Sequence, residues 1–117
     1  MSKYLLLMTV DDSYWTALTP EEQGPMMAAM EAFNQQLRDA GAWVGGEGID
    51  VSANAKTVRA GGEVTDGTFH SAPETVGGYW VIEAASMEEA VDWAKKVPLS
   101  TGGIEVRRIL GAEDFGG

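Results

Sequence analysis

Glu47, Asp66, His70 and Glu74 are the side chains whose types and spacing suit proton transfer. The last three lie in "TDGTFHSAPETVGGYW", residues 65–80, which sets two carboxylates and the single histidine among turn-forming residues. An imidazole titrates near neutrality and can serve as general acid or base. Glu47 sits between glycines in "GGEG", where bare backbone admits close approach of a ligand or another chain. A carboxylate there, beside an apolar cavity, would take a raised pKa and act as a base. In the catalytic reading Asp66, Glu47 and His70 carry protons, and Arg59 or Arg107 holds a substrate carboxylate. Strand alternation turns one of Arg107 and Arg108 inward.

Each of these residues also has a structural reading. Asp66-Gly67 forms a turn in which Asp66 accepts backbone N–H groups and Gly67 takes the conformation other residues avoid. Phe69 is then a hydrophobic plug, at least half buried, and His70 a solvated imidazole. Glu74 caps a strand end, Glu47 stands on an exposed edge strand, and the arginines form structural ion pairs.

Composition narrows the choices. With 8 basic and 18 acidic residues the net charge is −10, which repels a phosphate backbone, so no nucleic-acid partner is expected. There is no cysteine and one histidine, so disulfides, thiolate chemistry and a multi-histidine metal site within one chain are excluded. No P-loop or dinucleotide fingerprint occurs, and no cofactor is expected. No apolar run approaches the roughly 20 residues of a membrane span, and the opening "MSKYLLLMTVDD" is too short for a signal peptide; a cytoplasmic location and no membrane partner are the expectations.

The elements that must position these residues are legible. All 117 residues read as one domain, 1–117. "KYLLLMTV" is a strand apolar on both faces, with Tyr4, Leu6 and Met8 on one and Leu5 and Leu7 on the other. "LTPEE" opens a helix with Thr19 as cap, Pro20 in the first turn and Glu22 closing a capping box; Gly24-Pro25 predicts a break or kink before the main helix to Ala40. Met26, Met30, Phe33 and Leu37 recur at helical spacing, and Gly41 ends the run. Strands follow at 42–49, in a hairpin around Gly61-Gly62, and at "GYWVIEA". Ser86 and Glu89 box a second helix, and "GIEVRRIL" is the last strand. Strand, helix, strand, small hairpin, strand, helix, strand is an α+β, ferredoxin-like split βαβ pattern with an inserted hairpin. Its helices cover one face of the sheet only, so the other apolar face predicts a homodimer, the alternative being a cover from the hairpin and the C-terminal tail. Met26, Met27 and Met30, with Trp15, Trp43, Trp80 and Trp93, suit an apolar cleft for a small-molecule ligand.

"VTDGTFHSAPETVGGYWVIEAASMEEAVDWAKKVP" resembles the DGPF-type branch of the YCII-like family, whose signature runs V-T-D-G-P-F-A-E-T-K-E before a G-G-Y/F strand and an acidic helix. Asp66, Gly67, Phe69, Glu74, Gly77, Gly78 and Tyr79 match it. Thr68, His70, Ser71 and Pro73 replace the usual proline, alanine, glutamate and lysine. "KYLLLMTVDD", "LTPEE" and "GGEGI" resemble its other landmarks, so the likeness spans nearly the whole chain. It implies a dimeric α+β barrel. Phe69, Glu74 and Tyr79, beside the candidate acid/base groups, are expected on the catalytic reading as further substrate contacts. The broader group includes a lyase acting on a small aromatic ring and often relies on a His–Asp pair; that histidine lies elsewhere, so its role does not pass to His70.

Two functions follow. One is a cofactor-independent lyase or isomerase with acid/base carboxylates, its pocket between the sheet and the first helix and residues 66–74 at the rim. The other is a non-catalytic binding or regulatory accessory module, since relatives are frequently encoded beside alternative sigma factors.

Overall fold

The computed structural model describes residues 1–116. In chain order its strands are β1 (Ser2–Asp11), β2 (Trp43–Gly48), β3 (Lys56–Val58), β4 (Val64–Asp66), β5 (Glu74–Ala84) and β6 (Gly103–Arg108). Its α-helices are α1 (Ser13–Thr16), α2 (Pro20–Asp39) and α3 (Met87–Ala94). The main sheet has the strand order β2-β5-β1-β6, with every pair antiparallel. Together with α2 and α3 this is the ferredoxin-like arrangement. β3 and β4 form a separate two-stranded ribbon. Gly61 and Gly62, at φ +97° and +98°, make its turn.

The two-sided apolar pattern of β1 becomes a buried and a half-buried face. Tyr4, Leu6, Met8 and Val10 are buried with Trp80, Ile82 and Ala84 of β5, Phe33 and Leu37 of α2, and Ala90 of α3. Leu5, Leu7, Tyr79 and Val81, on the opposite face, are half-buried.

Thr19 caps α2 as its sequence requires. Its hydroxyl accepts the Glu22 N–H at 3.3 Å, and the Glu22 carboxylate accepts the Thr19 N–H at 2.9 Å. That second bond holds the Glu22 carboxyl below its ordinary pKa. The predicted break at Gly24-Pro25 does not occur; α2 runs through Pro25 to Asp39. Pro25 lies on the exposed side of the second turn, where its missing N–H removes a single bond to the Glu21 carbonyl. In α3 only half the box forms: Ser86 Oγ accepts from the Glu89 N–H, while Glu89 takes the Ala85 N–H instead of the Ser86 N–H.

Three short elements lie outside the pattern expected from the sequence. The one-turn helix α1 follows β1 directly. A 3₁₀ turn at Ser52–Asn54 is tied back to the end of β1, where the Asp12 carboxylate accepts the Ser52 N–H and hydroxyl. A second, Ala112–Phe115, is clamped by a two-bond fork from Arg108 to Asp114 at 2.8 and 2.9 Å.

Candidate functional site

The β1–β5 pairing slips by one residue between Met8, which opposes Gly78, and Thr9, which opposes Val76. Gly77 is the extra residue of this bulge, and it faces the helical layer: a Cβ there would stand 2.7 Å from Val10 Cγ2 and 3.5 Å from the Tyr14 ring. Gly46, across from Trp80 on β2, faces the same way, and a Cβ there would stand 3.0 Å from Trp80 Cδ1. Gly78 and Gly48 oppose each other beside them. At Gly46, Gly77 and Gly78 glycine lets the Trp80, Val10 and Met8 side chains lie close on the sheet, while a Cβ at Gly48 would meet nothing within 4 Å, so the sheet there is bare.

That bare patch is the floor of a cavity of about 370 Å³. Met26, Met27 and Met30 of α2 form its roof, and Tyr14, Trp15 and Trp80 its walls. The α2 stripe therefore divides. Phe33 and Leu37 enter the core, while the methionines one to two turns earlier lie over the cavity. Trp80 is held by its edge contact with Phe33, at 5.4 Å and 84°, and by its indole N–H donating to Asn34 Oδ1 at 2.8 Å. Burial, then the nearby Asp12 carboxylate, raise the Tyr14 phenol above its ordinary pKa, so it holds its proton more firmly than an exposed tyrosine. Glu31 reaches the cavity from a solvated position and pairs with Arg38 at 2.9 Å; the Arg38 guanidinium lies 4.6 Å over the Trp43 ring. Among the described residues no cluster of His, Asp and Glu is arranged to hold a metal ion, and no helix is long and apolar enough to cross a membrane.

The catalytic group read from the sequence is not assembled in this cavity. Glu47 is among the lining residues, but it directly opposes Tyr79. Paired residues share a face, so its carboxylate stands with Tyr79 and Leu7 on the opposite side of the sheet, and its carbonyl oxygen borders the floor. Tyr79 follows the same rule and meets the cavity through its backbone. Asp66 lies on the ribbon, its side chain 87% exposed and paired with Lys56. The turn expected around Asp66 is closed differently: the Gly67 N–H donates to the Ala55 carbonyl, the Thr57 hydroxyl donates to the Gly67 carbonyl, and Lys56 takes the carboxylate. Gly67 does adopt a positive φ, +87°.

Phe69 is 58% exposed rather than plugged in. Arg59 lies over one face at 4.8 Å and the exposed His70 ring meets it edge-on at 4.8 Å, because the short ribbon offers no apolar recess. Glu74 begins β5, opposite Asp11, and lines a separate shallow groove with Gly102 and Ile104. Residues 66–74 do not rim the cavity; α1 does, and nothing in "DDSYWT" beyond its two aromatics signals this. Neither arginine of the "RR" pair enters the cavity. Arg107, opposite Leu5, lies 4.0 Å from Glu105, and Arg108 is held by Asp114.

The model of the YCII-related domain matches residues 2–113. The chain belongs to the YCII-related family. It is also 32% identical, over 110 residues covering 89% of each chain, to an uncharacterized protein of Rhizobium meliloti (strain 1021). Tyr14, Trp15 and the glycine floor are thus the cavity features of a YCII-related domain, and its ferredoxin-like fold is the platform that sets them.

Proposed function

We propose that this YCII-related domain works by holding a small organic molecule between its sheet and α2. The observation that carries the reading is the glycine floor under a methionine roof. A packed core fills such space with side chains. Here glycine lets Trp80, Val10 and Met8 settle close onto the sheet at Gly46, Gly77 and Gly78, Gly48 faces open space, and about 370 Å³ stays open under the methionines. Flexible thioethers let the roof adapt to a ligand. A lyase or isomerase reaction there would draw on the groups that reach the cavity, with the Glu31 carboxylate as base and the protonated Tyr14 phenol as acid, in place of Glu47, Asp66 and His70. The test is an NMR screen of small aromatic and alicyclic compounds. Binders should shift the amides of Gly46, Gly48, Gly77 and Gly78 and the methyls of Met26 and Met30. Binders that perturb only other regions, or a screen with no binders, would overturn the reading.

A second copy of the chain is the proposed cover for the sheet's other face. Leu5, Leu7, Tyr79 and Val81 are left half-buried there, and Arg107 and Glu47 flank them with opposite charges. Leu7→Lys should give a folded monomer and Leu6→Lys, in the core, an unfolded chain. A wild-type monomer by light scattering at micromolar concentration would remove this proposal.

The accessory-module reading has its own support in the ribbon. Val58 and Val64 oppose each other and are 69% and 60% exposed. A two-stranded ribbon is marginal alone in water, so this one suits docking against another protein. The radius of gyration, 15.9 Å, exceeds the roughly 13 Å of a compact chain of about this length. A Val58→Asp, Val64→Asp variant that keeps every partner of the wild type would refute it.

A further inference from the structure

We infer that the molecule bound over the glycine floor has a flat apolar body bearing a protonated amine or quaternary ammonium group, and no carboxylate or phosphate. This rests on the cavity being a small-molecule site, as proposed above.

The charges around the cavity point one way. Among the described residues lining it, none is lysine or arginine, while Glu31 is a carboxylate at its solvated side. The chain's cations are engaged elsewhere or distant in the fold. Arg59 covers Phe69, Arg107 lies by Glu105, and Arg108 is forked to Asp114. Lys56 pairs with Asp66, Lys95 lies 4.0 Å from Asp92, Lys96 covers Trp93, and Lys3 is exposed on β1. Arg38 comes nearest, because it pairs with Glu31. That pair is solvated on both sides, 39% and 64% exposed, and such pairs contribute little, so a ligand ammonium can share or replace the guanidinium.

The walls favour the same ligand. Tyr14, Trp15 and Trp80 line the cavity with aromatic rings, the side-chain type whose faces attract a cation, and the methionine sulfurs are polarizable. An anion would lose its water against these apolar groups. Asn34 offers it a neutral amide whose oxygen already accepts from Trp80, and a neutral amide is a weaker partner for a carboxylate than a guanidinium. The net charge of −10 adds a field that attracts cations and repels anions. The substrate carboxylate expected from Arg59 and Arg107 therefore has no counterpart at the cavity.

Three probes sharing a phenyl ring separate the cases: 2-phenylethylamine, 2-phenylethanol and 3-phenylpropionate, titrated into the full chain at neutral pH while the cavity glycine amides are followed by NMR. The amine should bind at least tenfold tighter than the carboxylate, about 1.4 kcal/mol, with the alcohol between them. Glu31→Gln should reduce that ratio by roughly threefold, as expected for one solvated charge. A carboxylate binding as tightly as the amine overturns the inference and leaves the cavity reading intact. Shifts at the cavity glycines with none of the three overturn both. A ratio unchanged in Glu31→Gln traces the preference to net charge alone and overturns its assignment to this site.

Discussion

Removing the Asn34 amide should free the indole that forms one wall of the cavity. Trp80 is 7% exposed, and its N–H donates to Asn34 Oδ1 at 2.8 Å. A hydrogen bond of this kind contributes about 1 kcal/mol net. The abandoned N–H would face an open cavity that admits water, so the larger penalty of a sealed, unpaired donor does not apply. Asn34 is also inside α2, where alanine is the better helix former by up to about 0.7 kcal/mol. Asn34→Ala alone should therefore destabilise by only about 0.5 kcal/mol, a shift of a few degrees in Tm. The double-mutant cycle with Trp80→Phe cancels the helix-propensity contribution. In the Trp80→Phe background, with no indole N–H to satisfy, Asn34→Ala should be stabilising by about 0.5 kcal/mol, the helix-propensity gain alone. The coupling energy should be about 1 kcal/mol. Urea unfolding followed by circular dichroism at a fixed protein concentration measures all four corners, since an associating chain has concentration-dependent stability. A coupling below about 0.3 kcal/mol would show that the bond does not fix the indole. The same Asn34→Ala variant should bind 2-phenylethanol several-fold more weakly, because its wall is no longer held.

Gly102→Ala should be among the most damaging small substitutions: its φ is +81° and a Cβ would stand 2.3 Å from the Thr9 carbonyl oxygen, so a loss of about 2 kcal/mol or more is expected in thermal unfolding. Thr19→Ala removes the acceptor for the Glu22 N–H and should cost about 1 kcal/mol, with amide exchange accelerating in the first turn of α2. The Arg108 fork, then the Gly111 N–H, lower the Asp114 carboxyl from 3.8 to about 2. A depressed pKa means that this contribution is complete above about pH 4 and is lost as pH falls toward 2; the Gly111 amide shift should follow that titration, and Asp114→Asn should abolish it. Unchanged Gly111 behaviour in Asp114→Asn would contradict the clamp.

Local chemistry makes the frame readable in advance. The Thr19-Pro20-Glu22 cap, the alternation in β1, Gly61-Gly62 and the order of elements act over a few residues, so they can be read from spacing alone. The same locality explains the error at Pro25, where one lost hydrogen bond on the exposed side of a twenty-residue helix is outweighed by the packing of Phe33 and Leu37. Tertiary structure alone decided the site. Glu47 and Asp66 look alike in the sequence because glycine and turn residues surround both, but their positions depend on strand register and on which sheet each strand joins. A pairing of Glu47 with Tyr79 turns the carboxylate away from the helices, and a shift of one residue would have reversed it. Asp66 left the site because β3 and β4 pair with each other rather than with the main sheet. The cavity floor likewise needs Gly77 and Gly78 of β5 brought beside Gly46 and Gly48 of β2, from a distant part of the chain, with the bulge at Met8 and Thr9 turning Gly77 inward. Glycine has no side chain to carry a periodic signal, so a cavity floor containing four of them is defined only by the residues that fold around it.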